Sequence, residues 1–315
     1  MVRTSTAEKN NYRCPACGGA LTRDIADRGY VAHVSNRDNC QFERGERDHS
    51  GSTPDTCNTT RPVLPNHEPT KGVRICGYSE RGIFNALFYA IEFSSDPVSK
   101  LAELLSLVSF PGMSVDFSNM LGAEVLVEQS LSQFGDADAI LLLHGAKWRR
   151  VVFIEGKVKS HSNSRTIRAF WREFLKRRNG RLDSSNLFTQ LYHKVRFISA
   201  LRDGGIEALQ HGVAFPACST RAVRKLGKNP VVLHAAEMIK AYAQEVLYVA
   251  FVPDSAAHAS LEQFYTSELV APSDVTGWST EGWGFLTWEL VEDYCRQRGF
   301  ESTVRVFDFN RGQIY

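Results

Sequence analysis

The sequence has no apolar run approaching the roughly 20 residues that cross a bilayer. Its opening residues, MVRTSTAEKNNYRCPACGG, hold no apolar stretch of the kind that directs secretion. The expectation is a cytoplasmic protein. Charge of one sign is equally scarce, since 37 Lys and Arg against 35 Asp and Glu leave a formal net charge of +2. Overall charge therefore does not mark a nucleic-acid binder, and any basic surface must be local. No internal repeat and no low-complexity tract occurs, which sets aside repeat architectures. The seven cysteines are odd in number, and Cys14, Cys17 and Cys40 crowd the N-terminal end. That distribution suits a metal site better than a disulfide framework. What remains is ordinary globular composition, 43% hydrophobic and 23% charged over 315 residues, enough for one large domain and a small one.

Three zones follow one another. Residues 12–45 are short, punctuated by glycine and cysteine-bearing. Residues 46–72, ERDHSGSTPDTCNTTRPVLPNHEPTKG, are poor in apolar side chains and read as a linker. Residues 73–315 alternate helical and strand patterns. In 79–93, Ile83, Leu87 and Ile91 recur at helical spacing behind Ser79, a candidate N-cap. Strands are expected over 123–131, 138–143 and 150–158, the last two joined by the hairpin-like HGAKW. Helices follow over 165–178 and about 186–202. Two more strands, GVAFPA (212–217) and VLYVAFV (246–252), flank a helix near 231–244. The order helix, three strands, helix, strand predicts an α/β fold, a mixed sheet flanked by helices. Residues 253–315, with Trp278, Trp283 and Trp288, read mostly as core without an assigned role.

Charges stand where two of these apolar strands should simply continue. Asp138 opens the run 139–143, and Glu155 and Lys157 interrupt the run 151–158. Strand side chains alternate, so Glu155 and Lys157 share one face with Val151 and Phe153. The hairpin brings Asp138 near the third strand without fixing the register. Two converging carboxylates are costly unless a cation joins them, and oxygen ligands of this kind suit Mg²⁺. Such an ion can activate water and stabilise charge on a phosphoryl group. Lys157 would stand beside it, orienting the nucleophile or neutralising the phosphate. Asp136 competes with Asp138, since both fall on one face. Asp138 is preferred because the apolar run begins immediately after it, which leaves Asp136 solvated.

Gly135-x-x-Asp138, a hairpin, and Glu155-Gly156-Lys157 at the end of an apolar strand resemble the PD-(D/E)xK nuclease superfamily. Ala137 stands where that family's name has a proline. The resemblance covers about residues 79–252 and implies a restriction-endonuclease-like core. It also implies that Asp138 and Glu155 bind the divalent metal and that Lys157 assists catalysis. Many members carry a further metal-side glutamate on the first helix, which points to Glu80. The bland alternative is a carboxylate favoured by the helix dipole. Some members use a glutamine near the site, which points to Gln190, with a solvated helix position as the alternative.

Two features could hold a substrate. Arg165, Arg168, Arg172 and Lys176 recur at intervals of three and four, opposite Ile167, Phe170, Trp171 and Phe174. This is either a nucleic-acid-contacting stripe or a solvated face. Near the N-terminus, Cys14-x2-Cys17 and His33-x6-Cys40 present two ligand pairs suited to tetrahedral Zn²⁺. The segment is similar to the zinc ribbons of bacterial type I topoisomerases. His33 stands at that family's third cysteine, Ser35, Asn36 and Phe42 keep the surrounding pattern, and Cys57 is the rival ligand. By this resemblance the ribbon would bind DNA.

The combined expectation is a Mg²⁺-dependent DNA nuclease anchored by a structural Zn²⁺ ribbon, in genome defence, restriction or repair. A catalytically silent DNA-binding protein on the same scaffold, or a nuclease acting on RNA, stands beside it.

Overall fold

The computed structural model of the chain describes residues 21–23, 31–33, 75–158, 167–177, 186–215, 223–253, 258–270 and 278–311. It divides into two compact units, Met1–Gly72 and Val73–Tyr315. In the first, β1 (Leu21–Arg23) and β2 (Val31–His33) pair antiparallel, with Leu21 opposite His33. The expected zinc ligands Cys14, Cys17 and Cys40 lie outside the described residues, as do Cys57 and the linker, and His33 is described only as strand backbone.

The second unit is an α/β fold built on a five-stranded mixed sheet. Helices α1 (Ser79–Glu92) and α2 (Pro97–Ser106) lead into β3 (Met120–Ser130), β4 (Asp136–Gly145) and β5 (Arg149–Gly156). Next come α3 (Ile167–Arg177), α4 (Leu187–His211), a short ladder of β6 (Val213–Ala214) with β7 (Val223–Arg224), and α5 (Pro230–Tyr242). After β8 (Glu245–Val252) follow α6 (His258–Gln263), β9 (Trp283–Thr287), α7 (Trp288–Gln297) and α8 (Glu301–Phe309). The sheet order is β3-β4-β5-β8-β9. The pairs β3–β4 and β4–β5 are antiparallel, whereas β5–β8 and β8–β9 are parallel.

Central strand β5 explains the layering. Val151 and Phe153 join a core with α3, α4 and α5, while Val152 and Ile154 join another with α1, α2, α7 and α8. A strand buried on both faces needs a continuous apolar run, which Val151–Ile154 supplies. Asn186 then ties two helices together. Its Oδ1 accepts from the N–H groups of Phe188 and Thr189 at 3.0 and 3.2 Å, capping α4, and its Nδ2 donates to the Phe170 carbonyl of α3 at 2.9 Å.

Several expectations change here. Among the described residues of GVAFPA, 212–215, only Val213–Ala214 is strand, and it pairs with β7 rather than joining the main sheet. The segment after residue 252 contributes a fifth core strand and two packed helices, and Trp278, Trp283 and Trp288 are all buried. Ser79 is not the cap of α1. The cap position is Tyr78, without a side-chain cap bond, and Ser79 adopts φ 61°. Helix α2 had no counterpart in the pattern. Its signal is local: Pro97 at the first turn, and Asp96 accepting from the Ser99 N–H at 3.2 Å.

Candidate functional site

Register settles what the hairpin alone left open. Ala139 lies opposite Ile154 and Ile140 opposite Phe153. Continued one step outward, this register would bring Asp138 opposite Glu155, whose side chain alternates onto the face of Val151 and Phe153. An Asp138 Oδ2 atom accepts from the Gly156 N–H at 2.7 Å. The strand end is held on its other side as well: Lys157 N–H donates to the Phe251 carbonyl at 2.8 Å, and the Trp288 indole donates to the Lys157 carbonyl at 2.9 Å. Asp136 is exposed, as expected of a solvated neighbour.

Glu155 is 0% exposed. Its Oε2 lies 3.9 Å from Lys157 Nζ and its Oε1 lies 3.4 Å from the Nζ of Lys194, itself 0% exposed. These ammonium groups compensate the charge, yet neither carboxylate oxygen receives a well-formed hydrogen bond. Lys194 also donates to the carbonyls of Phe134 at 3.2 Å and Asp136 at 3.1 Å. It therefore joins the segment entering β4 to the end of β5. Gly135 makes room for this: it turns with φ 82°, and a Cβ there would sit 3.3 Å from Lys194 Nζ. Sequence reading missed Lys194. The available signal was its place one helical turn after Gln190, at helical spacing from Leu187, Leu191 and Ile198.

The charges strain one another. Burial pushes the Asp138 carboxyl up to about 7, with the Glu155 charge adding to it and Glu80 contributing less. Lys157 and the Gly156 N–H act in the opposite direction. Burial lowers the Lys194 ammonium, opposed first by Glu155. His193, beside it in sequence, is held well below its ordinary value by burial and then by Arg224 and Lys194.

A divalent cation fits this donor set. An added positive charge would relieve the carboxylate repulsion and engage the unbonded oxygens of Glu155. Among the described residues no three His, Cys, Asp or Glu side chains converge as a ready metal cage. Asp138 and Glu155 are the carboxylates that could hold such an ion, and two carboxylates with water and substrate completing the shell are an arrangement that suits Mg²⁺. Glu80 stands close by. A Cβ on Gly156 would come within 3.0 Å of Glu80 Cβ, and the Glu80 carboxylate accepts from the Ser79 hydroxyl.

Beside Asp138 opens a cleft of 580 Å³, lined also by Gly135, Gln190, His193, Arg81 and Arg224. Gln190 Oε1 and His193 Nε2 are buried there without hydrogen-bond partners. Gln190 is thus part of the cleft wall rather than a solvated helix position.

The basic stripe divides. On α3, Ile167, Phe170, Trp171 and Phe174 are buried, and Arg172 and Lys176 are exposed. Arg168 is half-buried, paired with Glu268 at 3.2 Å and placed 5.9 Å from the Phe264 ring. Arg165 lies outside the described residues. Compared with protein-family models, with curated proteins and with solved structures, the chain matches none, and the functional reading rests on these side chains.

Proposed function

We propose that the second unit is a metal-dependent nuclease with a restriction-endonuclease-like core of the PD-(D/E)xK type, acting on DNA. One observation carries this reading: the fully buried Glu155, with unbonded oxygens, adjoins Gly156, whose N–H donates to Asp138 on the neighbouring strand. Mg²⁺ bound by these carboxylates supplies Lewis-acid activation of water and charge stabilisation at phosphorus. Asp138 and Glu155 must both be ionised to hold it, and Lys194 keeps the Glu155 charge compensated beforehand. Lys157, half-buried at the strand end, is placed to orient the attacking water or to neutralise the phosphate. Hydrolysis adds the water oxygen to phosphorus, breaks the P–O bond and delivers a proton to the departing oxygen. Gln190 and His193 offer polar atoms to whatever enters the cleft. Glu80 is a supporting carboxylate at the same strand end.

Arg172 and Lys176 are proposed as phosphate contacts, and Cys14, Cys17, His33 and Cys40 as a structural Zn²⁺ site that binds DNA. No helix among the described residues is long and apolar enough to cross a membrane.

A second reading, a silent DNA-binding scaffold, is favoured by Lys194, which already satisfies part of the Glu155 charge. Incubating the full chain with plasmid DNA separates the two. The nuclease reading expects cleavage with Mg²⁺, none with EDTA, and none from Asp138→Asn or Lys157→Ala. DNA retained by the protein but intact with Mg²⁺ would favour the scaffold. A parallel incubation with RNA decides the substrate.

A further inference from the structure

The opposite end of the sheet carries a second cleft. It measures 820 Å³ and lies between the β4–β5 turn, the middle of α4 and the C-terminal end of α5. Lys147, Arg149, Arg202 and Lys240 line it together with His144 and Tyr242, and among the described residues no acidic side chain does. From Asp138 to His144 the strand rises about 20 Å, and the two clefts share no lining residue. This is a separate place on the molecule.

Four cations in one concavity repel one another, and the fold explains only some of them. Arg202 is structural: its Nε donates to the Ala243 carbonyl at 2.7 Å and its Nη2 to the Gln244 carbonyl at 3.2 Å, at the end of α5. Arg149 rests 5.6 Å from the centre of the Tyr242 ring. Lys147 and Lys240 are exposed and make no ion pair among the described residues. The nearby carboxylate of Glu245 is taken by Arg150 at 2.9 Å, and His144 Nδ1 is buried without a partner. In a chain of net charge +2, this leaves an uncompensated positive concavity with ring surfaces in its wall.

We infer that this cleft binds a polyphosphate anion, presented by a free nucleotide or by a single-stranded nucleic acid. Cations supply the phosphate contacts and the aromatic wall suits a base. The volume falls in the range of small-ligand sites. The inference does not depend on the carboxylate site being catalytic.

The full chain is titrated in EDTA and low salt with a fluorescent ATP analogue and, separately, with a labelled short single-stranded oligonucleotide. Inorganic tripolyphosphate serves as competitor. Saturable binding is expected, weakened on the order of tenfold or more by Lys147→Gln with Lys240→Gln, which removes two charge-assisted bonds to phosphate. Lys228→Gln with Arg305→Gln removes the same charge outside the cleft and should leave binding near wild type. Thermal melting of each variant confirms that it folds. Displacement by tripolyphosphate as efficient as by ATP assigns recognition to the phosphates alone. Tighter binding of the oligonucleotide assigns a strand as the ligand. Unchanged affinity in the cleft variant, an equal loss in the control, or no saturable binding of any of the three anions overturns the inference.

Discussion

Glu155 and Lys194 form a fully buried ion pair, and removing either partner leaves the other charged and desolvated. Breaking such a pair costs about 3–5 kcal/mol, whereas replacing both partners together is far milder. Glu155→Gln and Lys194→Met should each lower stability strongly, and the double variant should recover part of the loss. Urea unfolding in EDTA measures this cycle. Additive losses would mean that the two groups do not share a charge balance. Asp138 gives a pH signature of opposite origin. Its folded-state value of about 7 lies above the ordinary 3.8, so the folded chain holds a proton that the unfolded chain has released. Stability from this group is therefore present below 3.8, falls as pH rises and is lost once pH passes about 7. In EDTA, wild type should lose more stability between pH 5 and 8 than Asp138→Asn, and Mg²⁺ should restore part of it at pH 8. A parallel decline in both proteins would remove Asp138 as the cause.

Helix α3 carries its own test. Its apolar face is buried, and Arg172 and Lys176 point away from that face into solvent. Phosphate contacts bear no sequence information, so Arg172→Ala with Lys176→Ala should weaken binding to unrelated DNAs by similar factors. The salt slope should shrink by roughly 0.9 for each duplex phosphate that the variant no longer neutralises. An unchanged slope would leave the stripe a solvated face. Arg168→Ala belongs to a different class. It removes a half-exposed ion pair to Glu268, and should cost about 0.2–1 kcal/mol of stability with a smaller effect on the salt slope.

Elements also show how far the sequence could be read. Period two alone placed Glu155 on the face of Val151 and Phe153, and helical spacing alone gave the buried face of α3. Lys194 was not readable in this way, because its acceptors on Phe134 and Asp136 are about sixty residues away in the chain. GVAFPA resembled a core strand because Val213 and Phe215 are indeed buried, yet Val213 belongs to a two-residue ladder with β7 instead of extending the sheet. WGFLT was missed as β9 because it runs directly into α7 at Trp288, with no turn residue to separate strand from helix.

For the whole molecule, the metal content of the purified chain is the broadest test. One four-ligand structural site predicts about one zinc per chain. Cys14→Ser or Cys40→Ser should release that zinc while the α/β unit keeps its melting transition. Equal zinc in wild type and His33→Ala would direct attention to Cys57.

The position of β5 in the sheet has a consequence for the order in which the protein is made. β5 ends at Gly156, its parallel partner β8 begins at Glu245, and the indole that clasps the Lys157 carbonyl arrives only with Trp288. A chain still leaving the ribosome can form the β3–β4–β5 meander, but one edge of β5 then lies open and the strand end is unclasped. The carboxylate pair thus reaches its final setting late in synthesis. A growing polypeptide close to nucleic acid would carry the charges of the site before it carried the site itself.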